Sequence, residues 1–455
     1  MTTKNLFNDE DLAAARPPEG QPEPALTGGI ARLRVPIRDQ KVFLTASLDD
    51  RLPPDHEARR VWEFVSGLDL STLILRVKAV AGLAGRDAND PRLLVSLWVY
   101  ATLRGIDSAR ELDRLCGESL PYEWICGGVS MNYHTLSDFR SDNGGVLRDL
   151  RIQIVAVLMN AGLVTLDLVA QDGMKVRAAA GKSSFRREAS LEECLKTAEA
   201  QMTALETTPQ PELNERRRAA QLRAAREKIE RTTAALDNLQ QLKQQKEAKK
   251  KGTGEKARAS TTDPEARTMQ FSDGGYRPGV NVQLATDVAT GVIVGVHVTN
   301  AGNDFGQMSP MVDQIQKSCG RPPKALAVDG GFGTPVDIDT VETRYGTIVY
   351  TPVKDKARKV KKGLDPYARI KTDTDATAAC RARMATPEAQ DIYKLRSQSA
   401  EWVNAQARNR NLWLMPVRGL LKTNAIAELF ALAHNIDRAV KLLFAQKAKV
   451  ALEVG

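Results

Sequence analysis

The sequence predicts a multidomain α/β protein, with an all-helical N-terminal domain followed by a mixed sheet that carries helices on its faces and is interrupted by a helical hairpin. Three observations predict it. Up to about residue 160 the apolar residues recur at helical spacing. From 163 onward short β-branched and leucine-rich runs appear in the order β-ββ-α-β-α-β-α, and strands in series followed by alternation make a mixed sheet. Between the first of these runs and the next lie two segments whose apolar residues step by three and four, the seam of a coiled pair.

Residues 1–30 carry many Pro, Glu and Gly without periodicity and predict a disordered arm. The helical N-terminal domain is expected over 31–160. In "DPRLLVSLWVYATLRG" Leu93, Leu94, Leu97, Val99 and Leu103 fall mainly on one side, and Asp90-Pro91 opens the helix. "DSARELDRLCG" offers Ser108 as a cap with Glu111 three residues on and Gly117 as a stop. "HTLSDFRSDNGGVLRDLRIQIVAVLMNAGL" reads as two helices around Gly144 and Gly145.

The mixed-sheet domain is expected over 161–445. Its first strand is read at 163–170, a run that ends on Asp172 and Gly173. The hairpin insertion, 186–258, has one seam through Leu191, Leu195, Ala198, Met202 and Leu205 and another through Leu222, Ala225, Ile229, Thr232, Leu236 and Leu239, so an antiparallel pair is expected. Its end, "KQQKEAKKKGTGEKARAS", is basic with two glycines and reads as a linker or flexible loop. Two strands then flank the turn "DVATG". A helix follows at "DFGQMSPMVDQIQKSCG", a strand at "KALAVDGG", a helix at "PVDIDTVETRYG" and a strand at "TIVYTPV". The chain continues with helices at "TPEAQDIYKLRSQSAEWVNAQARNR" and "NAIAELFALAHNIDRAVKLL".

The composition narrows the partners. Lys and Arg number 65 against 56 Asp and Glu, a formal charge of +9, and this surplus favours polyanionic partners, either nucleic acid or acidic membrane. Five scattered cysteines, Cys116, Cys126, Cys194, Cys319 and Cys380, form no CxxC pair, so neither a zinc site nor a disulfide framework is indicated and a reduced compartment is expected. No run of about 18 apolar residues occurs, so no membrane partner is expected.

Two strand ends carry a carboxylate followed by glycine, Asp172-Gly173 and Asp329-Gly330. Three chemistries could explain the second, in "KALAVDGGFG". A phosphate loop would need Gly-Lys-Ser/Thr, but Pro335 sits where that pair belongs. A turn exit is the ordinary reading of either Asp-Gly alone. A metal site requires further carboxylates, because Mg2+ and Mn2+ take hard oxygen ligands. Asp172 and Asp329 would be two, and a helix beside the sheet must give the third. In "YKLRSQSAEWVNAQAR" the candidates are Tyr393, Arg396, Glu401 and Arg408, with Glu401 and Arg408 seven residues, or two turns, apart on one face. Asp287 is a rival second carboxylate that reads better as a hairpin turn, and no histidine-based catalysis is indicated by His134, His297 or the other two histidines.

These residues resemble those of the DDE transposases of bacterial insertion sequences, in the broad IS4/IS5 superfamily and most like the IS1182 group. The resemblance covers roughly residues 30–445. It is carried by "RLPPDHEARRVWEFV", "GIDSARELDRLCG" and "NYHTLSDFR" in the helical domain, and by "QDGMKVRA", "RPGVNVQLATD", "AVDGGFG" and "YKLRSQSAEWVNAQAR" beyond it. It implies an RNase H-like DDE catalytic domain with Asp172, Asp329 and Glu401 as the catalytic, metal-binding triad. It implies two Mg2+ ions, with Mn2+ as a substitute. Tyr393 and Arg396 match a signature that lies around the transposon-end phosphates, Arg408 stands where that signature usually has Lys, and Lys175 in "QDGMKVRA" is a further candidate DNA contact. The implied partners are terminal inverted repeats, target DNA and a second copy of the chain in a synaptic complex, in the bacterial cytoplasm at the nucleoid. Two alternatives remain open at this point: a catalytically inactive, domesticated DNA-binding protein, and a metal-dependent nuclease without strand transfer.

Overall fold

The computed structural model describes residues 45–79, 87–207 and 215–454. The arm expected over 1–30 and the start of the helical domain lie outside the described residues.

Between residues 45 and 160 every described regular element is a helix: α1 (Leu48–Arg51), α2 (Glu57–Ser66), α3 (Ser71–Ile74), α4 (Pro91–Leu103), α5 (Ala109–Glu118), α6 (Leu120–Cys126), α7 (Tyr133–Asp142) and α8 (Gly144–Asn160). α4 opens as expected, with Pro91 in its first turn and the Asp90 side chain accepting from the Arg92 N–H. Its residues from Leu93 to Ala101 are all buried, so it is a central helix enclosed on every side rather than one with a single apolar side. Ser108 caps α5 by accepting from the Glu111 N–H at 3.3 Å. Gly117 does not stop that helix, which runs on to Glu118; the break comes at Ser119, where Leu120-Pro121 starts the next helix and the proline denies the old one a backbone donor. α7 and α8 part at Asn143, and Gly144 lets the start of α8 lie on a later helix, since a Cβ there would stand 2.8 Å from the Ala425 Cβ.

The sheet begins with β1 (Val169–Arg177). The insertion follows as β2 (Phe185–Arg186), α9 (Glu188–Thr207), α10 (Glu215–Lys249) and β3 (Ala259–Ser260), with β2 and β3 paired antiparallel at its base. Then come β4 (Arg267–Gln270), β5 (Tyr276–Asp287), β6 (Ile293–Thr299), α11 (Met308–Cys319), β7 (Ala325–Ala327), α12 (Pro335–Tyr345) and β8 (Ile348–Tyr350). The chain ends with α13 (Lys356–Lys361), α14 (Asp375–Arg383), α15 (Pro387–Arg396), a π-helical turn (Ser397–Glu401), α16 (Trp402–Asn409) and α17 (Leu420–Val454). The six-stranded sheet has the order β4-β5-β1-β7-β8, with β6 also on β5. β1 is antiparallel to β5 and parallel to β7, and β7 is parallel to β8, so the sheet is mixed as expected.

Three expectations need correction. The first strand starts at Val169 rather than at 163, because the chain turns at Leu166 (φ 54°) before it joins β5, and Asp172 therefore lies inside a strand. β4 is an additional strand, paired with the first residues of the long β5. The basic stretch at the end of the insertion is a loop only in its second half: α10 continues through its first half to Lys249. The Glu247 carboxylate then accepts from the N–H groups of Gly252 and Gly254 at 2.7 and 2.9 Å, which fixes the turn into β3. The expected seams are otherwise present, with Leu191, Ala198 and Leu205 of α9 and Ala225, Thr232 and Leu239 of α10 buried.

The two faces of the sheet bury different helices. On one, Ala285, Leu326 and Val328 share a core with Met308, Met311 and Ile315 of α11, and that core runs on without a break into α2, α4 and α8. On the other, Met174, Val176, Val282 and Leu284 pack against Val403 and Ala407 of α16 and Phe430 of α17. Between the helical region and the sheet lies a fully buried ion pair, Arg151 Nε to Glu428 Oε2 at 2.7 Å, in which Arg151 Nη1 also donates to the Val294 carbonyl at 3.1 Å. Side chains also reach the outer strands. On β6, Asn435 bonds both the N–H and the carbonyl of Ile293 at 2.8 Å, and Gln314 does the same for Val296 at 2.9 and 2.8 Å. On β8, Val349 gives its N–H to Glu342 at 3.0 Å and accepts from Arg383 at 2.7 Å.

Candidate active site

β1 and β7 run parallel with Val169 opposite Leu326 and Ala170 opposite Ala327. β7 stops there, whereas β1 continues against β5 with Asp172 opposite Leu284. The same register carried forward sets position 172 beside position 329. Asp172 thus lies mid-strand yet just past the end of its parallel neighbour, the kind of strand-end crevice where sites gather in open α/β sheets. Asp329 follows β7 by two residues; its carbonyl accepts from Thr351 Oγ1 at 3.1 Å and its carboxylate from the Gly331 N–H at 2.7 Å. Glycine is needed at two positions around these acids. A Cβ on Gly331 would stand 2.9 Å from Asp329 Oδ1, and one on Gly173 would stand 2.1 Å from an oxygen of Asp304.

The helix across the crevice is not a continuous α-helix. In an α-helix residues five apart point about 140° away from each other. The π-turn at Ser397–Glu401 replaces that spacing with an i to i+5 repeat and brings Arg396 and Glu401 to one side, as π-bulges at functional sites often do. Arg396 Nη2 donates to Glu401 Oε1 at 2.9 Å, while Nη1 lies 3.4 Å from Asp172 Oδ2 as an ion pair without hydrogen-bond alignment. Asn404, one turn beyond Glu401, donates to the same Asp172 oxygen at 3.0 Å, and the Gly173 N–H binds the other oxygen at 3.0 Å. Burial pushes the Asp172 carboxyl up to about 6. The charges of Asp329 and Asp304 add to the rise, and Arg396 and the Gly173 N–H oppose it.

Of the residues singled out in the sequence, Asp172, Asp329, Arg396 and Glu401 are gathered here. The guanidinium of Arg396 also lies over the half-buried Tyr393 ring, 5.9 Å from its centroid. Lys175 is half-buried in β1 opposite Asn281, on the face of Gly173 and not that of Asp172. Arg408 is exposed at the penultimate position of α16. Asp287 serves the β5–β6 turn, where it accepts from the N–H and hydroxyl of Thr290 at 3.0 and 2.7 Å.

Four residues at the site were missed. Asp304, in the loop after β6, accepts from Asn281 at 2.7 Å and Gln283 at 2.6 Å, and its charge acts on Asp172. The signal for Asn281 and Gln283 was present in "GVNVQLAT": two amides two apart in an otherwise apolar strand share one face, and buried polar groups of that kind need partners. The signal for Asn404 was its position three residues after Glu401. Asp304 itself had none, because loop conformation brings it in.

The donor set fits a divalent ion of the Mg2+ type. Asp172 and Asp329 supply hard oxygens, and the buried amide oxygen of Asn404, whose nitrogen holds Asp172, has no hydrogen-bond partner. Among the described residues no three His, Cys, Asp or Glu side chains are already arranged as ligands, and Glu401 engages Arg396.

The fold and the crevice define a class: a mixed α/β protein with clustered carboxylates flanked by an arginine at the end of a parallel strand. The family described as "Transposase domain (DUF772)" matches residues 46–142, and that described as "Transposase DDE domain" matches residues 246–436. Together they mark the chain as a transposase of the DDE type, a DNA-cleaving and transposing enzyme, and the succession of the two domains is consistent with the IS1182 group. The mixed sheet with its many helices is consistent with an RNase H-like DDE domain, and enzymes of this family generally use divalent metal ions. Asp329, Glu401 and Arg396 fall inside the second match, and Asp172 lies between the two. No curated protein and no solved structure matches the chain. No helix among the described residues is long and apolar enough to cross a membrane.

Proposed function

We propose that the protein binds the terminal inverted repeats of its own insertion sequence, hydrolyses the DNA ends and joins the resulting 3′-hydroxyls to target DNA, working at the nucleoid on an RNase H-like core. The observation that carries this reading is the register that sets Asp172, in β1, beside Asp329, just past the end of the parallel strand β7, with Glu401 and Arg396 across from them. Asp172, Asp329 and Glu401 would hold two Mg2+ ions, for which Mn2+ substitutes. Such ions supply an activated water or hydroxyl and stabilise the leaving oxygen of a phosphodiester.

The chain's own residues prepare that chemistry. Asn404 and the Gly173 N–H each take one oxygen of Asp172 and so fix its plane. Arg396 pairs with Asp172 and Glu401, and its Nη1, which faces Asp172 without making a hydrogen bond, keeps donor capacity for a phosphate oxygen. Tyr393, Arg408 and Lys175 act as contacts to the DNA backbone, which position a substrate without reading its sequence. Two copies bring two ends together, and the α9–α10 hairpin is a candidate surface for that pairing.

The test is cleavage of a labelled duplex carrying the element's own terminal repeat, with Mg2+ or Mn2+, by the wild type and by Asp329→Asn. Metal-dependent cutting at the repeat boundary that disappears in Asp329→Asn, followed by insertion into a target plasmid, is the expected result. Cutting without insertion would identify a nuclease, tight repeat binding without cutting by either protein an inactive DNA-binder, and equal cutting by both would remove Asp329 from the site.

A further inference from the structure

A cleft of about 860 Å³ opens between the α9–α10 insertion and the β4–β5 margin of the sheet. Its walls carry Lys182, Lys246, Lys256, Arg258 and Arg267 against one acid, Glu265. That acid is engaged elsewhere, since its Oε2 accepts from the Leu420 N–H at 2.8 Å. Arg267 is held by the Pro264 carbonyl at 2.8 Å and by Asn238 at 3.2 Å. Lys182, Lys256 and Arg258, by contrast, are exposed and have no carboxylate partner among the described residues. Unneutralised cations gathered on facing walls repel one another, and a bound polyanion relieves that cost.

Two further features narrow the polyanion. At about 860 Å³ the cleft has room for a few nucleotides of one strand, and its lining includes Tyr276, which is exposed at the start of β5. Cations that track a backbone, with an aromatic face for a base, are how proteins hold single strands without reading sequence. The cleft also shares a loop with the candidate active site: residues 300–303 line it, and the next residue is Asp304, whose charge acts on Asp172.

We propose that this cleft binds an unpaired stretch of DNA strand running to or from the active site, through Lys182, Lys256 and Arg258 on its phosphates and Tyr276 on a base. The proposal rests on the reading of the protein as acting on DNA.

The experiment uses the full chain without metal and measures binding of a fluorescein-labelled oligothymidine of about 15 nucleotides, a length suited to single-strand sites. A labelled duplex of arbitrary sequence is measured in parallel. The cleft variant reverses three charges, Lys182→Glu, Lys256→Glu and Arg258→Glu. A control variant reverses three exposed charges elsewhere on the insertion, Lys196→Glu, Arg216→Glu and Arg223→Glu, and the melting temperatures of both are compared with wild type. The expected result is a loss of oligothymidine affinity of about tenfold or more in the cleft variant, with the slope of log affinity against log salt shallower by about 2, the value for three lost single-strand phosphate contacts. Tyr276→Ala should weaken the same probe without changing the salt slope. Undiminished oligothymidine binding by the cleft variant, or an equal loss in the control, overturns the proposal. An equal loss for the duplex overturns the single-strand assignment. Duplex binding by the wild type without oligothymidine binding overturns the cleft and leaves the proposed function standing, whereas a wild type that binds neither probe refutes both.

Discussion

Two helices of this protein have the same length, 35 residues, and opposite lives. α10 lies on the insertion with a narrow apolar seam, Ala225, Thr232, Ala235 and Leu239, and is otherwise clothed in Lys, Arg, Glu and Gln. α17 is enclosed from Ala425 to Ala433 on nearly every side and continues buried through His434, Asn435 and Ile436. A seam of that kind specifies only a partner helix. The polar residues inside α17 specify much more: Glu428 reaches α8, His434 reaches the Gly291 carbonyl at 2.9 Å, and Asn435 reaches Ile293. The difference teaches that length and periodicity identify a helix, while its few interior polar groups decide what it organises.

The largest test of this contrast is Glu428→Gln. It leaves the fully buried Arg151 without its countercharge, and breaking such a pair costs about 3–5 kcal/mol, so the denaturation midpoint of the whole chain should fall sharply. A small shift would mean that the ion pair is not what fastens α17 to α8.

His434 gives the next effect. Burial among Trp402 and Phe430 lowers its pKa to about 4, well below the ordinary value near 6.5. As the pH falls below 6.5 the unfolded chain takes up a proton that the folded chain refuses until about 4, so stability is lost through that window. Melting temperatures measured from pH 7 to 4 should fall less steeply in His434→Gln than in the wild type; parallel curves would show that the imidazole is not buried neutral.

The smallest global effect is expected on the other helix. Leu239→Ala opens a cavity worth about 2 kcal/mol or more, but in the packing of the insertion. Amide exchange should quicken along α9 and α10 while the sheet and α17 keep their protection. Loss of protection in both regions together would end the comparison.

The same contrast marks what the sequence disclosed. The mixed sheet, the hairpin insertion and the two strand-linked acids were legible because they depend on local period and on turn chemistry. Asp287 was rightly read as a turn residue from "DVATG" alone. The π-turn was not legible: a single extra residue in "YKLRSQSAEWVNAQAR" leaves every propensity intact and changes only the angle between Arg396 and Glu401. Asp304 was out of reach for another reason, since its place against Gly173 comes from the fold of the 300–304 loop and from amides on a strand about twenty residues earlier. Gly117 and the lysine-rich end of α10 misled because glycine and charged residues are tolerated in a helix: α5 runs on to Glu118 and α10 to Lys249.

The margins of the sheet also say how it meets other chains. An open strand margin is ordinarily an invitation to another strand. Here Asn435 and Gln314 occupy backbone groups along β6, and Glu342 with Arg383 occupies those of Val349 in β8. Those stretches behave as if a further strand were already in place, so strand addition from another chain finds these backbone groups of β6 and β8 already taken.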